Sequence, residues 1–279
     1  MRQGPVSKIC SSFRIRGREM RSLGRATKVL LTLMLFILVW EAACRIFGIP
    51  TFILPTPLDI LTRLNEKRDL FLPHTLVTFY ESIAGFILAV AVGCIAAAII
   101  VVLPSLRDVI MPLLLVAQIV PKVAIAPVLL IWFGYGLFPK VVIAFLVAFF
   151  PVVINTAQGL ASVERDLIEL GQSLKANRWQ IFWKFRVPTA LPLLFSGMKI
   201  AITLAVIGAI IGEFVGGNQG LGYLIIVANQ ELDTPLAFAA ILILSLGGIL
   251  LYGAVELLER LLVPWNEASD PHREALGFV

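Results

Sequence analysis

Residues 76–103 read LVTFYESIAGFILAVAVGCIAAAIIVVL, an uninterrupted apolar run with a single charged side chain, Glu81. A helix needs about 20 mostly apolar residues to cross the hydrocarbon core of a bilayer, and this run exceeds that length. Working outward, five more stretches carry the same signal: residues 28–48, 109–132, 138–158, 189–215 and 235–260. The composition agrees. The chain is 59% hydrophobic and 15% charged, whereas soluble domains run near 45–50% apolar and about 25% charged. The predicted fold class is an all-α membrane protein with about six transmembrane helices.

Charge sets the expected orientation. The net charge is +5, and eight of the 23 Lys and Arg precede residue 29: Arg2, Lys8, Arg14, Arg16, Arg18, Arg21, Arg25 and Lys28, opposed there only by Glu19. A basic cluster before an apolar run is retained on the cytoplasmic side and attracted to anionic lipid, so nucleic acid is not the expected partner. Six crossings from a cytoplasmic N-terminus put residues 49–75 and 216–234 outside, and both termini and residues 159–188 inside. The inside segment carries Arg165, Lys175, Arg178, Lys184 and Arg186, and 216–234 has no Lys or Arg. Arg63, Lys67 and Arg68 in the 49–75 loop depart from the rule. The short run Val29–Trp40 also fits a secretory signal, but Glu41 before Ala42, Ala43 and Cys44 spoils a cleavage box.

Proline and glycine recur within the spans. Pro112, Pro121 and Pro127 predict a broken third helix, as a solute path needs and as ordinary kinks also produce, and Gly208 and Gly212 allow close helix approach in the fifth. Ionisable residues within spans are costly and are functional candidates; they are Glu81, Lys122, Lys199 and Glu213. Lys122, between Pro121 and Ala126-Pro127, is placed to aim at a central cavity with Glu213 as a second path residue. The alternative is that Lys122 snorkels or pairs with Glu81 or Glu213. Gln118 and Asn155 fit interhelical hydrogen bonds. Cys10, Cys44 and Cys94 are too scattered for a metal site, and His74 and His272 fall in the outside loop and the C-terminal tail. No catalytic constellation, cofactor or metal is expected.

Between the fourth and fifth spans lies ERDLIELGQSLKANRWQIFWKFRVPTALP, residues 164–192. Leu167, Ile168, Leu170 and Leu174 recur at helical spacings among polar residues. Such a helix suits either the lipid interface or a groove in a partner protein. The stretch resembles the signature loop of binding-protein-dependent ABC importer permeases, whose pattern is Glu-Ala-Ala, three residues, Gly, nine residues, Ile, one residue, Leu-Pro. Glu169, Leu170 and Gly171 take the first places, Lys175 the glycine, Phe185 the isoleucine, and Val187-Pro188 the final pair. Lys175 departs from the pattern, because a lysine tolerates the positive φ of a glycine turn poorly.

Further stretches extend the resemblance from about residue 70 to 265. They are Pro121–Pro127 leading into Trp132-Phe133-Gly134, Phe149-Phe150-Pro151, Asn155-Thr156, Arg178-Trp179, Gly212-Glu213-Phe214, Gly220-Leu221-Gly222-Tyr223 and Asp233-Thr234-Pro235. Together they are similar to the nitrate, sulfonate, taurine and pyrimidine-precursor branch.

The resemblance implies a type I importer permease in the inner membrane: a basic cytoplasmic tail at 1–27, a transmembrane domain at 28–265 with a coupling segment at 159–188, and a cytoplasmic tail at 266–279. It implies three protein partners: a second permease copy forming a homodimer, an ATP-binding subunit docked through Glu169, Leu170, Gly171, Lys175, Arg178 and Pro188, and a periplasmic substrate-binding protein. The chain has no Gly-x-x-x-x-Gly-Lys-Ser/Thr loop, so it is expected to be no enzyme itself, with ATP hydrolysed by the partner. The expected solute is a pyrimidine-type compound, a thiamine or riboflavin precursor, or nitrate, sulfonate or taurine. Residues 133–140, FGYGLFPK, look closer to permeases for thiamine or riboflavin precursors than to those for alkanesulfonates. The competing reading is an ion-coupled secondary carrier.

Overall fold

The structure, a computed structural model, describes residues 27–28 and 30–265. Most of the basic N-terminal cluster, Cys10, His272 and the 266–279 tail lie outside the described residues. Every regular element described is helical: α1 (30–46), α2 (Pro57–Glu66), α3 (Arg68–Val102), α4 (Pro104–Ile119), α5 (Ala126–Phe133), α6 (Leu137–Ala161), α7 (Arg165–Ser173), α8 (Arg178–Ile181), α9 (Val187–Gly216), α10 (Leu221–Gln230) and α11 (Thr234–Leu262).

Four helical stretches among the described residues are long and apolar enough to cross a membrane: α3, α6, α8 running on into α9, and α11. A fifth span is broken, because residues 107–119 and 122–133 meet at 78°. The break falls at Val120-Pro121, where the chain turns extended and a 3-10 turn at Lys122–Ile125 leads into α5. Proline cannot supply the helical N–H, so the expected interruption sits where Pro121 puts it. The first expected span is α1, which is shorter than the four long spans and leaves nearly all its apolar side chains exposed, as lipid contact requires.

The region 49–75 is more ordered than a loop. Thr56 caps α2, its hydroxyl accepting from the Asp59 amide while the Asp59 carboxylate accepts from the Thr56 amide, and Pro57 fills the first helical position, a combination that satisfies amides a helix start leaves free. After one residue the chain re-enters α3, which spans about 50 Å at 1.5 Å per residue. His74, expected in a loop, therefore lies on this helix. Arg63 donates from Nε to Asp233 at 2.9 Å and pairs with Glu66 at 3.1 Å, tying α2 to the start of α11. The Asp233 hydrogen bond raises the Arg63 pKa above its ordinary range.

At the centre, α6 lies between α3 and α9, its most extensive partners. On α3, Glu81, Gly85, Ala89, Gly93 and Ala97 are buried at every fourth position, and on α6 so are Lys140, Ala144, Ala148 and Val152. These i+4 stripes meet in register. Glu81 faces Lys140 across 59 residues of sequence, and the same offset brings Gly85 onto Ala144 and Gly93 onto Val152, so α3 and α6 run parallel. Helix α9 runs antiparallel to α6, with Gly212 against Lys140, Gly208 against Ala144 and Gly197 against Asn155. A Cβ at Gly85 would lie 2.5 Å from Ala144 Cβ, and one at Gly208 would lie 2.7 Å from Ala144 Cα. Small residues therefore set the interhelical distance. Helix α11 packs outside this core on α9, α10 and α2.

Candidate functional site

At the end of the bundle where α6 turns back into α9, the segment 162–186 projects from the core. Helix α7 ends in a left-handed turn: Lys175 has φ +58°, its amide donates to the Gln172 carbonyl at 2.8 Å, and the Ala176 amide donates to Gly171 at 2.9 Å. These two bonds define the Schellman closure usually completed by glycine. Lys175 thus adopts the positive φ that a lysine resists, and the turn keeps the glycine-type geometry. Asn177 then caps α8 reciprocally with Gln180 at 2.8 Å each way, and a π turn at Phe182–Arg186 feeds α9.

Gly171 is buried against Phe185 and Ile181, which would lie 3.4 and 3.6 Å from a Cβ there. Pro188 is half-buried at the start of α9. Glu169, Leu170, Lys175 and Arg178 are exposed, beside Leu167, Leu174 and Trp179, the last two 74% and 70% exposed. One small surface therefore presents both apolar side chains and charges of both signs.

The four ionisable span residues have distinct surroundings. Lys122 lies at the bend of the broken span, donates to the Gln118 carbonyl and sits 4.6 Å above the centre of the Phe150 ring. It pairs with neither Glu81 nor Glu213. Lys199 pairs with Glu259 on α11 at 2.6 Å. Asn155 donates to the Pro151 carbonyl of its own helix at 2.8 Å instead of bridging helices.

Glu81 and Glu213 belong to one buried polar knot at the bundle end opposite α7. Lys140 Nζ donates to Glu81 Oε1 at 2.9 Å and to the Gln219 carbonyl at 3.2 Å. The Thr78 hydroxyl donates to Glu213 Oε1 at 2.6 Å. Three successive amides at the start of α10 are each held by a side chain of α3 or α9: Gly220 N–H donates to His74 Nδ1 at 2.9 Å, Leu221 N–H to Thr78 Oγ1 at 2.8 Å, and Gly222 N–H to Glu213 Oε2 at 2.6 Å. These are amides that the first turn of a helix leaves without internal partners. His74 also stacks on Tyr223 at 5.9 Å. Glu81, Lys140 and Glu213 are 0%, 2% and 1% exposed. Glycine makes room: Gly220 has φ +113°, and a Cβ there would lie 1.9 Å from Glu213 Oε1.

Sequence reasoning singled out Glu81 and Glu213 but not Lys140, Thr78 or His74. Lys140 sits in the first turn of an apolar span, and the rule that marked the other ionisable span residues applies to it equally. No group of three or more His, Cys, Asp or Glu suited to a metal occurs among the described residues.

Residues 71–263 match the family described as the binding-protein-dependent transport system inner membrane component. The chain belongs to this family. This permease is 40% identical over 240 residues to the riboflavin transport system permease protein RibX of Chloroflexus aurantiacus, covering 85% of this chain and 89% of that one. It is 36% identical over 244 residues to the formylaminopyrimidine transport permease protein ThiX of Halalkalibacterium halodurans, covering 87% and 97%. In fold, the permease matches a chain of the methionine ABC transporter MetNI with a TM-score of 0.55 at 19% identity, over 68% of this chain and 98% of that one. It is accordingly a transport subunit of the type I ABC importer class, as the resemblance implied.

Proposed function

We propose that this permease carries a small heteroaromatic solute, of the riboflavin or formylaminopyrimidine kind, across the inner membrane as one half of a homodimer. A separate ATP-binding subunit drives it, and a periplasmic binding protein delivers the solute. Two of its most similar relatives bear names for such solutes. Nitrate, sulfonate or taurine is the competing solute class. In this reading both termini and the 162–186 segment are cytoplasmic, and the polar knot lies toward the periplasm, as the excess of Lys and Arg in that segment favours.

The exposed face of α7 and α8 carries the proposal. Leu167, Leu170, Leu174 and Trp179 stand open beside Glu169, Lys175 and Arg178, while Gly171 and Pro188 are packed at its base. Apolar anchors ringed by charge are what a groove in a partner recognises. The stiff turn at Lys175 and the capped α8 join this face directly to α9, so a push on it travels along a packed helix into the core. Lys122, at the bend of the broken span, is the residue proposed to face the solute path; Glu213 supports that path from within the knot.

The test is co-purification from native membranes in mild detergent, comparing wild type with Glu169→Lys. An ATP-binding subunit recovered with wild type and lost with an equally abundant variant is the expected result. Recovery that is equal for both variants removes the docking role from this face. Ligand binding by the binding protein encoded beside that subunit then decides between the two solute classes.

A further inference from the structure

The polar knot contains two carboxyl groups and one ammonium, all shielded from water. An unbalanced charge in such a place is strongly disfavoured. The hydrogen bonds show which group must change. Glu213 is placed as a carboxylate would be: its two oxygens accept from the Thr78 hydroxyl and the Gly222 amide, and it caps the start of α10, where the helix dipole favours negative charge.

Glu81 differs. Its Oε1 accepts from Lys140, but its Oε2 is buried and receives no hydrogen bond. The other carboxyl of the knot is Glu213: Thr78, one turn before Glu81 on α3, donates to its Oε1, and Lys140, which holds Glu81, packs against Gly212 beside it. None of the surrounding donors faces Glu81 Oε2. The Thr78 hydrogen goes to Glu213, the Gly220 and Leu221 amides go to His74 and Thr78, and Lys140 serves Glu81 Oε1 and Gln219. His74 accepts through Nδ1, and Tyr223 meets only its ring face. A metal cation is a poor occupant, since hard cations want six or more oxygens and here one acceptor atom is free.

We propose that Glu81 holds a proton on Oε2 and donates it to Glu213. The proton is taken from solvent, no other bond changes, and the knot becomes neutral: an uncharged Glu81, an ionised Glu213 and a protonated Lys140. Short hydrogen bonds between a carboxylic acid and a carboxylate are among the strong ones. This bond adds a second direct link between α3 and α9 to the one that Thr78 makes to Glu213. The proposal is independent of the solute and of the ATP-binding partner.

Glu81→Gln reproduces the protonated acid: its amide N–H₂ faces Glu213 and its carbonyl still accepts from Lys140. Infrared spectra of the purified permease at neutral pH, in H₂O and D₂O, provide the test. The expected result is a protonated-carboxyl C=O band in wild type that shifts in D₂O and is lost in Glu81→Gln, with the variant as abundant and as heat-stable as wild type. Absence of that band in wild type overturns the proposal, and that measurement needs no variant to fold. So does a band that survives undiminished in Glu81→Gln, or a variant that does not accumulate.

Discussion

Replacing Lys140 by methionine keeps the length of the aliphatic stem and removes its ammonium. Lys140 is 2% exposed, and its ammonium reaches Glu81 Oε1 at 2.9 Å and the Gln219 carbonyl at 3.2 Å. Its loss leaves both acceptors dry and removes the cation that balances the knot. Leaving a buried charge uncompensated, here that of Glu213, costs about 3–5 kcal/mol. For a chain of 150–250 residues each kcal/mol moves Tm by roughly 2–4 °C, and this chain is slightly longer, so the variant is expected to melt roughly 6–20 °C lower. The assay is thermal unfolding of the detergent-purified protein, followed by tryptophan fluorescence or by loss of the monodisperse peak in size exclusion. A Tm within about 2 °C of wild type refutes the reasoning, because it means that water reaches Glu81 and Gln219 once the lysine is gone.

Two other substitutions test neighbouring statements. Gly220→Ala places a Cβ 1.9 Å from Glu213 Oε1 at φ +113° and is expected to cost roughly 2–4 kcal/mol through clash and backbone strain, read as a lower Tm and reduced membrane abundance. Lys175→Gly relieves a left-handed residue, φ +58°, at a cost in unfolded-chain entropy; a net gain of about 0.5–1 kcal/mol is expected, and a lower Tm argues that the turn is not held in that conformation.

The spans were legible because lipid imposes a local demand: each helix must be apolar over its own length, and that is written in consecutive residues. The bend was legible for the same reason, since Pro121 acts on its own backbone. The segment 49–75 reads as a loop because its prolines and balanced charges mask a helix start, although Thr56-Pro57 followed by Asp59 is a capping signal in its own right. The knot was only half legible. Glu81 and Glu213 stand out in apolar surroundings, but their partners depend on the parallel register of α3 with α6, a tertiary fact that the glycine and alanine stripes fix and no single segment contains. Lys175 shows the opposite case: its backbone takes a left-handed φ of +58° that residue propensity disfavours.

The 59 residues that separate Glu81 from Lys140 are also an interval of time. At roughly 5–20 residues per second, the ribosome adds Lys140 some 3–12 s after Glu81, and Glu213 later still. During that interval α3 enters the bilayer without the ammonium that will face it. A carboxyl group crossing into lipid alone is far easier to accommodate as the neutral acid, so the order of synthesis itself favours a Glu81 that arrives protonated and meets its partners in that form.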